Sequence, residues 1–457
     1  MQPTRSVYTV AVLWSALLLA YVGRQVLSLL VDPIRHALGL SDTQIGLLQG
    51  FAFGLCYAVA GLPLARLSDR KSRVSIAAAC IGIWSVATMA CGVVSSFPSL
   101  LAARALTAIA EAGISPAALS IVTDIFPRRL LGRASAALLT APYIGSGLAL
   151  LVGGSVYRYF MNHGAFSLGT LTLAPWQLVF LVVGSPGILV GAVVLSTLRE
   201  SSRPDRTVSP QGLKSVLKTH RWFLLLYITS ATLLVTVLYT QMAWIPAHFG
   251  RRYFLGPAEV GRLIGPTYIV YGVVGSIAAG ILSSRTTEKD AVATILKVML
   301  TCAVLLVIPA VATPLIGNQL VATCVFKCCV LVNAMALSLS SVPLQVIIPA
   351  HCRAQVIVLA SLMFAVVGAG LGPIAVGALA DHVFGGQDAL ANAIALVCGG
   401  ASIGAAILLT SLRNPSGPML QPLSALAPSG ILPAENGSGI DPEGSININN
   451  SRSIRWG

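Results

Sequence analysis

Charge is scarce in this sequence. Only 10% of its 457 residues are Asp, Glu, Lys or Arg, against 56% apolar. A water-soluble domain carries roughly 25% charged residues, so this chain cannot clothe a core in a hydrated surface. The bilayer must be its solvent. Acidic residues are the rarer sign, 15 against 29 Lys and Arg, for a net charge of +14. That excess lies between the apolar stretches, where cytoplasmic loops collect cations, so no nucleic-acid partner is inferred. No His-rich cluster, nucleotide-binding loop or nucleophile–base pair stands in the apolar segments. Their lack argues against ATP-driven transport and against an enzyme, and no cofactor is implied. The nine Cys lie almost entirely inside apolar segments, where a thiol acts as a small hydrophobe. Cys324 and Cys328 share a helix face, but neither His nor carboxylate joins them, so no metal site is read. A cleavable signal is also missing: one Arg precedes the first apolar segment, with no small-residue cleavage site after it.

What is present is a succession of apolar stretches long enough to span, each needing about 20 residues. Helices are expected at 8–31, 43–67, 74–95, 99–123, 133–160 and 175–198, then 221–249, 258–283, 290–313, 317–347, 354–384 and 389–412. Lys and Arg concentrate in alternate loops, which places the N-terminus, and after twelve spans the C-terminus, in the cytoplasm. The expectation is an all-α, multi-pass protein of the cell (inner) membrane. Residues 199–220 form the longest basic interruption and divide the helices six and six. The domains expected are thus two six-helix bundles, 1–198 and 221–412, a linker at 199–220, and a tail at 413–457. That tail, rich in Gly, Ser, Pro and Asn, should be disordered.

The clearest motif follows the second helix: ARLSDRKSRVS, Ala65 to Ser75. It resembles the loop signature G-x-x-x-D-R/K-x-G-x-R/K of the major facilitator superfamily. Asp69, Arg70 and Arg73 match, while Ala65 and Ser72 replace the two glycines. A carboxylate at a helix end can latch one state of a two-state machine through charge-assisted contacts, so these three residues are the candidate conformational gate. An ordinary basic loop at the membrane surface is the bland alternative. A weaker echo, GILSSR (Gly280 to Arg285), ends the eighth helix.

Longer stretches narrow the resemblance. LGLSDTQIGLLQGFAFGLCYAVAGLPLARLSDR, LLAARALTAIAEAGISPAALSIVTDIFP, WQLVFLVVGSPGI and GLGPIAVGALAD look like bacterial members of the spinster-type branch of that superfamily. The likeness covers most of residues 10–412. It implies the superfamily fold, alternating access, and an amphipathic or lipid-like cargo. It also exposes a departure. Spinster-type members read Asp-Arg in the middle of helix 1, and that Asp is the expected proton site; here the pair is Gly23-Arg24. The departure leaves two readings: Glu111 alone carries the proton, or proton coupling is weak or lost.

Within the helices, away from their ends, lie only Arg24, Arg104, Glu111 and Lys327. An ionisable group at such depth is costly and faces a cavity or a partner. Counted from the outer helix ends, the three cations sit about 6 to 10 residues deep at 1.5 Å each, and so could form one positive layer above Glu111. Three cations against one carboxylate suggest an anionic head group on the cargo, with Glu111 as proton acceptor or ion-pair switch. A purely structural network, in which an Arg neutralises Glu111, stays open. Tyr239, Gln241 and Asn333 are further candidates to line the cavity. Arg251 and Arg252 read as a solvated turn. Glycines cluster on helix 5 (Gly145, Gly147, Gly153, Gly154) and helix 11 (Gly368, Gly370, Gly372, Gly377), where small residues let helices approach closely. The function expected is secondary export of an amphipathic organic anion by a monomer, with protons the candidate coupling ion. The rivals are uptake of a small carboxylate by the same machinery, or a sensor or scaffold without flux, which only the tail favours.

Overall fold

Long apolar helices dominate the structure, a computed structural model that describes residues 3–126, 137–138, 140–164, 166–168, 171–198, 213–284 and 291–412. Among the described residues, eleven helices are long and apolar enough to cross a membrane. They are α1 (Ser6–Leu29), α2 (Asp42–Ser68), α3 (Arg73–Ala90), α4 (Phe97–Val122), α6 (Pro175–Thr197) and α7 (Arg221–Tyr253). The rest are α8 (Pro257–Ser283), α9 (Val292–Leu315), α10 (Gln319–Ile347), α11 (Gln355–His382) and α12 (Ala389–Leu412). Of the span expected at 133–160, the residues from Ala141 form a helix, α5 (Ala141–His163), which is not among the eleven. Its glycines, serines and tyrosines, with Arg158, leave it too polar to join the eleven. The linker 199–212 and the tail 413–457 lie outside the described residues, and a short helix, Leu213–Thr219, precedes α7.

Local chemistry sets the helix ends. Ser41 accepts from the Gln44 amide while Gln44 caps the Ser41 N–H, a reciprocal box that starts α2. Asn318 accepts from the amides of Leu320 and Val321 and starts α10. Proline stands in the first turn of α4, α6 and α8, where its missing N–H costs nothing. Gly39 ends the short helix Val31–Leu38 in the left-handed region. A two-stranded antiparallel hairpin, β1 (Phe166–Leu168) with β2 (Leu171–Leu173), joins α5 to α6.

Apolar side chains cover the outside as well as the core: Leu189, Ile308 and Leu320 are each at least 70% exposed. A lipid solvent accepts that; water does not. α7 is the most buried span, packed against α12 and α11. Two crossings depend on missing side chains. α5 lies against both α1 and α8; a Cβ at Gly147 would stand 2.5 Å from the Gly265 carbonyl oxygen. α2 lies against α11; a Cβ at Gly50 would stand 2.5 Å from the carbonyl oxygen of Gly370. Three helices also contain a π-turn: Leu47–Phe51 in α2, Tyr268–Gly272 in α8 and Phe364–Leu371 in α11.

Candidate functional site

α1, α2, α4 and α7 converge on one cluster of charge and aromatic faces. The Arg24 guanidinium of α1 stands 3.5 Å from Glu111 Oε1 on α4. It also lies 4.2 Å from the ring centre of Phe53 on α2 and 4.8 Å from that of Tyr239 on α7. Arg104, two turns before Glu111 on the same face of α4, covers the same Phe53 ring at 5.2 Å and donates to the Gly23 carbonyl at 3.5 Å. Two cations thus share one aromatic ring, an arrangement that stabilises each by the ring quadrupole. Tyr21 and Tyr57 complete the surroundings of Arg24.

The two arginines differ in access. Arg24 keeps 14% of its side chain exposed, whereas Arg104 is only 2% exposed. Arg24 is the more accessible of the two. Glu111 Oε2 and Arg104 Nε are buried without a hydrogen-bond partner among the described residues, and a buried polar atom left so is costly. The cluster carries two positive charges against one negative, so it has capacity for an anion.

The position left by the missing carboxylate is filled. A Cβ at Gly23 would meet the Trp84 ring at 2.6 Å and Thr88 Oγ1 at 3.4 Å. Trp84 is 1% exposed, and a Cβ at Gly187 of α6 would also stand 2.5 Å from its ring. The indole therefore packs against both glycines.

The remaining sequence candidates disperse. Lys327 lies on α10, its ammonium 5.9 Å from the Tyr271 ring centre on α8, and takes none of the partners of Arg24 or Arg104. Gln241 donates to Cys329 Sγ at 3.0 Å, and Asn333 donates to the Leu234 carbonyl at 3.2 Å. Both bonds tie α7 to α10. Arg73 donates to Ser120 Oγ at 2.8 Å, linking the start of α3 to α4. The side chains of Asp69 and Arg70 lie outside the described residues.

Arg251 and Arg252 are not a solvated turn. Arg251 donates through both terminal nitrogens to the Asp42 carboxylate at 2.7 and 2.8 Å, and through Nε to Asp32 at 2.8 Å. Arg252 pairs with Asp388 at 2.8 Å. Nearby, Asp381 of α11 accepts from the Thr43 amide and hydroxyl, each at 2.7 Å. The Asp42 end of the molecule is thereby sewn shut between α2, α7 and α11. Gln25 adds a bond from α1 to the Met242 carbonyl of α7 at 2.7 Å. Phe53, Tyr57, Trp84 and these ion pairs went unread in the sequence. A Phe–x–x–x–Tyr pair one turn apart was the available signal for the first two, and it reads equally well as core.

Comparison with known proteins agrees with this architecture. The model of the Major Facilitator Superfamily matches residues 13–373. An MFS-type efflux pump of Mycolicibacterium smegmatis is 29% identical over 404 residues, 86% of this chain and 90% of the relative. Protein spinster homolog 1 of Xenopus laevis is 26% identical over 411 residues, 84% of this chain and 75% of the relative. A bacterial homolog of the human lysosomal transporter Spinster, solved inward-facing and occupied, superposes with a TM-score of 0.72 at 24% identity. That match covers 90% of this chain and 96% of the other; the unoccupied form gives 0.71 at 23%. At such identity the superposition speaks for the fold. The spinster-type resemblance stands on the sequence relatives.

Proposed function

We propose a cargo and a cycle for this chain, which belongs to the Major Facilitator Superfamily. The cargo is an amphipathic organic anion, and the cycle is export by alternating access of two six-helix bundles, residues 1–198 and 221–412. One observation carries the reading: Arg24 and Arg104 lie over the single ring of Phe53, with Tyr239 also against Arg24 and one carboxylate, Glu111, paired with Arg24. A headgroup anion can take up the Arg24 guanidinium, while an apolar body lies on aromatic faces. A small polyhydroxy acid would want hydrogen-bond donors where this site offers rings, so the carboxylate-uptake reading is the weaker one. The name of the M. smegmatis relative, an efflux pump, supports the direction.

In this cycle Glu111 is the switch. With no cargo it holds Arg24; an arriving anion competes for the same guanidinium and frees the carboxylate. Exchange of one partner for another at an ion pair is the differential contact that a two-state machine requires. Contacts of α2 with α11 and of α5 with α8 make those crossings the surfaces on which the bundles rock. Gly23 in place of the family carboxylate makes the flux weakly dependent on a proton gradient.

Flux into proteoliposomes tests this, with a panel of lysolipids and amphipathic drugs, run with and without an imposed pH gradient. Arg24→Gln should raise the KM for anionic members about 10- to 100-fold, as the loss of a charge-assisted contact predicts, and leave neutral members unchanged. Equal effects on both classes would remove Arg24 from cargo recognition.

A further inference from the structure

We propose that the flank of α10 at its Asn318 end binds the headgroup of an anionic membrane phospholipid, with Lys327 as the counter-charge. This site is separate from the Arg24 cluster and independent of what the transporter carries. A cavity of about 810 Å³ opens there, lined by Tyr253, Asn318, Gln319, Thr323, Cys324 and Lys327 among others. Its volume falls within the range of small-molecule sites. Among the described residues no carboxylate lines it, and Lys327 is the one charged group in its wall. Asp388 is engaged by Arg252 at 2.8 Å, Glu259, one turn before Leu263 of the lining, accepts from the Gly256 amide at 3.0 Å, and Arg252 stands beside Gly317 on the rim, 3.7 Å from where a Cβ would be. The charge lining the cavity is therefore positive.

Lys327 makes no ion pair among the described residues; its ammonium lies 5.9 Å from the Tyr271 ring centre. Eight residues from the start of α10, it lies about 12 Å down the helix. An uncompensated ammonium at that depth is costly, and its four-carbon stem lets it climb toward the headgroup layer. A phosphate there completes the pair. Asn318 uses its carbonyl oxygen to cap α10, leaving its NH2 to face a ligand, and the Gln319 amide stands beside it. Below the rim, α10 exposes Leu320, Cys324 and Cys328 one turn apart, a track along which an acyl chain can lie. That track selects a membrane lipid over a soluble phosphate ester.

The test uses the full chain in detergent, with phosphatidylglycerol as probe and glycerol phosphate as its soluble counterpart. By native mass spectrometry, Lys327→Gln should weaken phosphatidylglycerol binding about tenfold, Lys327→Arg should retain it, and phosphatidylcholine should bind less well. In a Cys56→Ser, Cys328→Ser background, phosphatidylglycerol should slow maleimide modification of Cys324, and glycerol phosphate should not. Equal binding by Lys327→Gln would overturn the assignment. So would protection of Cys324 by glycerol phosphate, which would make this an aqueous anion site. Absence of any protection by phosphatidylglycerol overturns it too, and that arm needs no change at Lys327.

Discussion

Restoring the helix 1 carboxylate by Gly23→Asp should damage the protein before it changes the chemistry. The new Cβ would stand 2.6 Å from the Trp84 ring, closer than atoms pack, and in ordinary contact with Thr88 Oγ1 at 3.4 Å. Trp84 has little room to retreat, because it is buried and already packed against Gly187. Overpacking of this kind costs about 1–3 kcal/mol, while the neighbouring Arg24 offsets part of the cost of burying the charge. Trp84→Leu alone leaves a cavity and costs on the order of 2–4 kcal/mol. Combined, the two changes relieve each other: the aspartate enters the space the indole vacates. The double variant should therefore be more stable than the sum of the singles by about 1–3 kcal/mol. Thermal unfolding of the purified proteins measures that coupling, and proteoliposome flux under a pH gradient measures its consequence. The natural chain should respond little to the gradient and the double variant strongly. Additive stabilities would refute the steric account. Strong proton-driven accumulation by the natural chain would refute the functional one and move coupling to Glu111.

Arg251→Met should open the Asp42 end, because it removes charge-assisted bonds to Asp42 and Asp32 together. A loss of about 2–3 kcal/mol shifts the population roughly 30- to 150-fold. Spin labels at Ala37 and Val383 would report the change as a longer distance, and an unchanged distance would remove the pair from gating. Asp69→Asn should shift the population in the opposite sense, roughly 5- to 150-fold, and distances between the bundles at the Asp69 end would reveal it. Cysteines introduced at Gly317 or Gly386 should be labelled from outside intact cells, and one at Ser209 should not; labelling at Ser209 would invert the topology.

The helices were readable because the bilayer demands long apolar runs. α12 was expected at 389–412 and is Ala389–Leu412; α10 was expected at 317–347 and is Gln319–Ile347. The face each helix turns to its neighbours was not readable. Lys327 was grouped with Arg24 and Arg104, yet its ammonium lies over the Tyr271 ring, because neighbours and not composition decide which way a helix faces. Arg251 and Asp42 are 209 positions apart, so nothing local marks them as partners. Trp84 and Gly23 are complementary in shape, and shape is invisible to a pattern of residue types. The gap at Gly23 was legible only as a departure from a family; what occupies it needed coordinates.

The π-turns of α2, α8 and α11 have a consequence for numbering itself. A π-turn is an α-helix holding one residue too many. Beyond it, every side chain is turned by about 100° relative to an uninterrupted helix. A stripe of small residues counted through Leu47–Phe51 or Phe364–Leu371 therefore changes face midway. Removing one residue from such a turn should heal it into regular helix, where the same deletion elsewhere would misalign the span. The surplus residue is also mobile in principle. Passing it one position along exchanges a single wide hydrogen bond for an ordinary one, so the bend can travel while the helix stays closed. α2 and α11 carry this slack where their backbones touch, at Gly50 and Gly370, so each can shift register against the other without either unwinding.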